Sequence, residues 1–145
     1  MTLVRPAATG DFDAVTALLH ELGRPAATDR ETCLAVYTRD IEDPDAAHLL
    51  AEDDAGQIVG FCSLHFRPRL NQVSPQAWVP DLIVTEAARS KKVGHALLSE
   101  AEKRARRRGC HHLTLESAHW RKDAHRFYLD FGLTDDGLAF GKALV

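Results

Sequence analysis

Leu82-Ile83-Val84 closes a strand-like run at Thr85, and from Val93 the residues Val93, Ala96, Leu97, Ala101 and Ala105 recur at helical spacing until Gly109. Only a short connection separates the two segments. A strand, a tight loop and a helix N-terminus in that order bring loop amides and the first unbonded helical amides towards one point. Such a point carries partial positive charge and suits a phosphate or pyrophosphate. Arg89, Lys91 and Lys92 add cationic side chains there, and Gly94 lets a ligand come close to the backbone.

The remaining chain arranges itself around that junction. Thr2 to Arg5 reads as an opening strand closed by Pro6, and Asp11 begins a helix that ends at Gly23 with Phe12, Val15, Leu18, Leu19 and Leu22 on one stripe. Thr28 and Glu31 form a capping box for a second helix, stopped near Pro44. His48 to Ala51 and Ile58 to Leu64 read as strands joined by the turn Asp53-Asp54-Ala55-Gly56. A polar connection over residues 67–76 precedes one strand from Trp78 to Val84. After the long helix come a strand His112 to Leu115, a helix from Asp123 to Phe131 ended by Gly132, and a tail Ala139 to Val145 that suits a last strand. The order βααββ followed by βαβαβ predicts an α/β (α+β) domain, one mixed sheet flanked by about four helices, with residues 1–145 as a single domain.

Charge is unevenly placed. Residues 89 to 108 hold eight Lys and Arg against two Glu, while residues 1 to 57 carry four Arg against twelve Asp and Glu. The basic run contains i,i+4 pairs, Glu100 with Arg104 and Glu102 with Arg106, as a solvated helix does. The net charge of −3 and the absence of interleaved aromatics argue against nucleic acid. No apolar run approaches membrane-spanning length and no signal sequence opens the chain, so a cytoplasmic location without membrane partners is expected. Three cysteines, Cys33, Cys62 and Cys110, have no metal-like spacing and read as free thiols. His111 and His112 point to opposite faces of a strand, so no metal site is expected from the clustered histidines. No GxGxxG occurs, and Gly137 to Ala143 lacks both the length and the hydroxyl of a nucleotide-binding Walker loop.

Two motifs carry a resemblance. Leu82-Ile83-Val84 followed by Arg89-Ser90-Lys91-Lys92-Val93-Gly94-His95-Ala96 resembles the acyl-CoA signature R/Q-x-x-G-x-G/A of the GNAT N-acetyltransferases. Arg121 to Leu133, with Ala124, Phe127, Tyr128 and Gly132, resembles the family's second signature, N-x-x-A-x-x-F/L-Y-x-x-x-G-F. Gly60 to His65 and Lys122 to Tyr128 are most similar to the aminoalkylphosphonate N-acetyltransferase branch. The resemblance implies a mostly antiparallel sheet whose central strands splay apart, acetyl-CoA as co-substrate, and a small-molecule amine as acceptor; dimers are common in the family. It assigns cofactor contacts to Leu82, Ile83, Val84, Arg89, Ser90, Lys91, Lys92, Val93, Gly94, His95, Ala96, Arg121 and Phe127.

Departures from the pattern matter. Lys92 stands where most of the family has Gly, Arg121 replaces the usual Asn, and Trp78 occupies the place of a frequent general-base Glu. Lys92 either weakens the cradle, if its backbone cannot follow the glycine, or adds charge to it, if it can. Acetyl transfer from a thioester to an amine needs a proton acceptor for the amine, a donor for the thiolate and stabilisation of an oxyanion. The resemblance makes Tyr128 the general acid, and a phenol near ~10 can protonate a thiolate near ~8.5 in a dry site. Asp81 is the nearest carboxylate for the base, with Glu116 or a water chain as alternatives; around a bulge its facing is open. His65 and His125 are candidates to line the acceptor pocket. The acidic set Asp29, Glu31, Asp40, Glu42, Asp43 and Asp45 suits a polyamine or aminoglycoside, whereas Arg24, Arg67, Arg69 and Arg121 suit an aminoalkylphosphonate. A protein or peptide acetyltransferase and a non-catalytic acyl-CoA sensor are the rival readings.

Overall fold

The computed structural model describes residues 2–23, 29–89 and 92–145. The chain divides into two compact units, Met1–Thr114 and Leu115–Val145. The first carries strands β1 (Leu3–Pro6), β2 (Ala46–Glu52), β3 (Ile58–Arg67), β4 (Gln76–Val79) and β5 (Leu82–Val84), and helices α1 (Phe12–Glu21), α2 (Arg30–Glu42) and α3 (Val93–Arg107). Strand β6 (His112–Leu115) lies at the division, and helix α4 (Lys122–Phe131) belongs to the second unit. The sheet has the order β1-β2-β3-β4-β6, with β5 paired to β3 outside that path. The pairs β1–β2, β2–β3, β3–β4 and β3–β5 are all antiparallel.

Strand β3 is buried along nearly its whole length because helices cover both of its faces. On one face Leu50, Phe61 and Ile83 sit in register across β2, β3 and β5. They join Ala7, Phe12, Val15, Leu18, Leu22 and Tyr37 from the first strand and the first two helices in one core. On the other, α3 buries Val93, Leu97, Leu98, Ala101 and Ala105. Gly60 makes that approach possible: a Cβ there would come 2.8 Å from Leu97 Cδ1 and 3.1 Å from Val93 Cγ1. Close helix–strand packing therefore requires its bare backbone.

The segment read from sequence as one strand, Trp78 to Val84, is two. His65 faces Trp78 and Cys62 faces Leu82, so Ser63 and Leu64 oppose Val79, Pro80 and Asp81, two residues against three. This is a β-bulge, placed where Pro80 lacks an N–H for the ladder. Beyond it, β4 keeps β6 as a neighbour while β5 has β3 as its sole strand partner among the described residues. The expected splayed pair is present.

Other boundaries move for local reasons. The capping position of α2 is Asp29, which accepts from the Glu31 amide at 3.1 Å and from the Thr32 hydroxyl; Thr28, expected as the cap, lies outside the described residues. Asp11 does not cap α1 with its side chain; its carboxylate turns back to the Ala8 amide at 2.7 Å and to Arg5. The Arg5 bonds hold Asp11 below the usual carboxylate range. The tail Ala139 to Val145 forms no strand. Phe140, Leu144 and Val145 are exposed and lack the pairing partner that a strand requires.

Lys92 adopts φ 62° and ψ 20°, the sole positive φ at a non-glycine among the described residues. A side chain in that region costs roughly 1–2 kcal/mol. Replacing Lys92 with Gly removes this strain while restoring about 0.4–1 kcal/mol of unfolded-chain entropy. Lys92→Gly is therefore expected to stabilise the fold by roughly 1 kcal/mol in urea unfolding, whereas Lys92→Ala gives no gain. Equal midpoints for Lys92→Gly and the parent would contradict a strained left-handed residue.

Candidate functional site

Parity along β5 determines which backbone groups are on offer. The Ser63 amide donates to Asp81 O at 2.9 Å and the Thr85 amide to Val59 O at 2.9 Å. Asp81, Ile83 and Thr85 thus turn their backbone polar groups towards β3, and Leu82 and Val84 turn theirs away from it. On that side β5 has no strand partner among the described residues. Ile83 points its side chain into the core, with 5% exposure, so of the three expected contact residues it is the one committed inward. Arg89 donates through Nε to Val84 O at 3.1 Å, which folds its guanidinium back to the end of β5.

Thr85 to Lys92 lead from β5 to α3 through a 3-10 turn, Glu86–Ala88. Glu21 at the end of α1 fixes this connection by accepting from the Glu86 amide at 2.8 Å and the Thr85 hydroxyl at 3.2 Å. The first ladder bond of α3 runs from the Ala96 amide to Lys92 O at 3.1 Å, so the amides of Val93, Gly94 and His95 precede the ladder. Among the described residues no side chain caps this N-terminus, and its first turn carries no acid. That is the electrostatic setting an anion favours. Lys92 occupies the glycine-like left-handed conformation at the N-cap of α3. Ser90 and Lys91 lie outside the described residues.

At the bulge, Asp81 is locked to Ser63. The Asp81 amide donates to Ser63 Oγ at 3.0 Å, and that hydroxyl donates to Asp81 Oδ2 at 3.3 Å. Ser63 is almost fully buried. The bulge therefore answers the open question of facing: Asp81 shares the face of Ser63, and the register puts His48 opposite Ser63 and Trp78 opposite His65. His48 and His65 meet edge to face, with ring centroids 5.7 Å apart, and His65 lies 5.9 Å from the Trp78 ring. Arg67 places its guanidinium 4.4 Å from the Trp78 ring centre and donates through Nη2 to Gln76 Oε1 at 2.8 Å. Its Nε is buried without a hydrogen-bond partner among the described residues.

The acidic set named from sequence is mostly spent on structure. Asp29 caps α2, Asp43 accepts from the Asp45 amide at 2.8 Å, and Asp45 pairs with Arg108 at 2.6 Å. Asp40 approaches the polar face, 4.0 Å from His48 Nε2, and lies 3.7 Å from Arg39 Nε. The basic run is likewise paired: Arg104 and Arg107 reach Glu100 at 3.1 and 3.3 Å, and Arg106 reaches Glu102 at 3.6 Å.

In the second unit, Tyr128 lies on α4, half-buried and in T-shaped contact with Phe127 at 5.5 Å. Gly132, with φ 113°, terminates the helix, and the amides of Gly132 and Leu133 return to Tyr128 O. Arg121 precedes the helix and lays its guanidinium over Trp120 at 4.8 Å. His125 Nε2 is bonded to Ala118 O at 2.9 Å, which gives that histidine a local anchoring role.

Sequence reasoning overlooked Ser63, His48 and Glu21. Ser63 was readable as a polar residue inside an otherwise apolar strand. Glu21 had no signal, because its partners lie more than sixty positions away.

A family model described as the acetyltransferase (GNAT) family matches residues 15–133. An aminoalkylphosphonate N-acetyltransferase of Salmonella typhimurium is 34% identical over 97% of this chain and 90% of its own. A transcriptional regulator from Bacillus halodurans superposes with a TM-score of 0.89 at 23% identity, covering 99% of this chain and 100% of that one. Glucosamine-6-phosphate N-acetyltransferase from Arabidopsis thaliana gives 0.86 at 16% identity, covering 100% and 99%. With a free strand edge feeding an uncapped helix, and with a family model spanning most of its length, the chain belongs to the GNAT family and is an acetyl-CoA-dependent N-acetyltransferase.

Proposed function

We propose that this enzyme acetylates the primary amine of a small molecule that also bears a phosphonate or comparable anion, by direct attack within a ternary complex. The observation that carries the reading is Arg67, a cation stacked on Trp78 whose buried Nε has no partner among the described residues, on the same sheet face as Asp81. Trp78 pairs with His65, which lies two residues, roughly 7 Å, along β3 from Ser63. That is the span of a short aminoalkyl chain between an amine at Asp81 and an anion at Arg67. The Salmonella relative is named for such a substrate.

Direct transfer also suits the one thiol on β3. Cys62 faces Leu82, but burial pushes its thiol up to about 12 and Sγ points at Ser63 O, 3.7 Å away. It is a poor nucleophile for an acetyl-enzyme. In the proposed reaction the amine nitrogen forms the new bond to the acetyl carbon and the carbon–sulfur bond breaks. The amine proton passes towards Asp81, and Tyr128 gives its proton to the departing thiolate. The outward amides of Leu82 and Val84 hold the acetyl carbonyl and pantetheine arm, with Phe127 and Arg121 beside the arm. The first α3 amides, of Val93, Gly94 and His95, with Arg89, Ser90, Lys91 and Lys92, take the pyrophosphate, while the Ala96 amide is committed to Lys92 O. Both units act as one domain, in the cytoplasm. The paired basic run makes a nucleic-acid partner unnecessary, and among the described residues no helix is long and apolar enough to cross a membrane.

Thiol release from acetyl-CoA against aminoalkylphosphonates, polyamines, aminoglycosides, amino acids and a lysine peptide tests the acceptor. Aminoalkylphosphonates are expected to react best. Arg67→Ala should raise their KM by about tenfold to a hundredfold, the scale of a charged hydrogen bond, and spare the polyamines. A preferred polyamine or peptide indifferent to Arg67 would overturn the reading. Tight acetyl-CoA binding without turnover of any amine would instead establish a sensor.

General acids contribute about 10²–10⁴ in rate. Tyr128→Phe should therefore lower turnover about a hundredfold or more while acetyl-CoA affinity stays near that of the parent. Undiminished turnover would remove Tyr128 from the chemistry.

A further inference from the structure

The connection from β5 to α3 takes one of its fastenings from a distant part of the fold. Along it the Thr85 amide bonds Val59 O on β3 at 2.9 Å, the Ala88 amide bonds Thr85 O at 2.9 Å, and the Arg89 amide bonds Glu86 O at 3.2 Å. The Ala88 methyl is buried. The Glu86 amide opens the 3-10 turn, and the Thr85 side chain does not cap it. That amide donates instead to Glu21 Oε1 on α1 at 2.8 Å, and the Thr85 hydroxyl donates to the same oxygen at 3.2 Å. A carboxylate 65 positions away thus takes the place of a local cap.

Glu21 is badly placed for its own helix. It is the last residue of α1, where a negative charge opposes the helix dipole. The helix end that carries it is nonetheless fixed. Leu18 and Leu22 are buried in the core, and the Leu22 amide closes on Leu18 O at 2.9 Å. Glu21 is therefore an acceptor on a rigid support, and its contribution lies in the connection rather than in α1.

We infer that Glu21 is a positioning residue for acetyl-CoA, holding Thr85 and Glu86 in their bound arrangement before the cofactor arrives. The inference rests on the reading of the first α3 amides as the pyrophosphate site, since the connection leads into Lys92 and those amides. A segment ordered in advance loses no binding energy to its own ordering. Glu21 acts through the connection and not by touching the cofactor, whose phosphates its carboxylate would repel.

Calorimetry of acetyl-CoA binding to full-length Glu21→Ala and Glu21→Gln, with steady-state kinetics and urea unfolding of each, tests the role. Glu21→Ala is expected to raise the Kd and KM for acetyl-CoA about threefold to tenfold, the scale of one net hydrogen bond. Its kcat, acceptor KM and urea midpoint should stay near those of the parent, because relief of the dipole clash offsets the lost bonds in stability. Glu21→Gln keeps an acceptor oxygen at the same reach and should restore affinity. Thr85→Val keeps the Glu86 amide bond, so it should weaken binding less, and its effect should vanish in the Glu21→Ala background. Parent-like affinity in Glu21→Ala, no rescue by Glu21→Gln, or a loss shared with the urea midpoint would overturn the role. The two readings fail separately. If acetyl-CoA does not slow exchange of the Val93, Gly94 and His95 amides in the parent, the pyrophosphate site is misplaced and this inference falls with it. If it slows them and Glu21→Ala binds normally, only the role of Glu21 falls.

Discussion

The hydrogen bonds between Ser63 and Asp81 hold the rest of the site in place. At a bulge the ladder has one residue too many, and Asp81 would leave its amide without a carbonyl partner. Ser63 Oγ accepts that amide at 3.0 Å, while the Ser63 amide keeps its bond to Asp81 O at 2.9 Å. With the extra residue absorbed there, β5 resumes pairing to β3 in a shifted register and leaves the course of β4. Its outer edge is then open, and Leu82 and Val84 present their backbone groups on it. The same side-chain bond orients the Asp81 carboxylate. One buried serine thereby couples the proposed acyl-binding edge to the proposed acceptor face.

The proposed cofactor cradle is built from backbone more than from side chains. Gly60 lets α3 lie against β3, and Glu21 ties the incoming connection to α1. Lys92 takes a glycine-like turn, and the ladder of α3 begins with the Ala96 amide on Lys92 O. The helix then places Arg104, Arg106 and Arg107 in its last turn, where cations oppose the dipole's negative end. The basic stretch so serves two separate purposes. Its first part belongs to the proposed pyrophosphate site, and its last part is a paired, solvated helix end.

Much of this was legible because the signals are local. The stripe on α3, the turn before Gly109, the hairpin and the two motifs all rest on spacing within a few residues. What sequence hid was parity. A simple hairpin about Asp53 to Gln57 pairs Glu52 with Ile58 and would set His48 opposite Cys62, on the face away from His65. The register shift between Ala51 and Glu52 moves His48 opposite Ser63 instead. A one-residue slip exchanges the faces of a strand, so the His48–His65 meeting was beyond the reach of spacing. The bulge at Pro80 concealed the facing of Asp81 in the same way. The tail was misread for a related reason: alternating Leu138, Phe140 and Leu144 satisfy the pattern of a strand, yet a strand exists only with a neighbour to bond.

The central claim is that acetyl-CoA is held by the outward amides of β5 and the first amides of α3. Backbone hydrogen exchange, followed residue by residue with and without acetyl-CoA, tests it directly. The account predicts that the amides of Leu82, Val84, Val93, Gly94 and His95 slow markedly on binding, while Ile83, already bonded to β3, changes little. Slowing confined to other segments, with Leu82, Val84 and the α3 N-terminus exchanging as before, would contradict it.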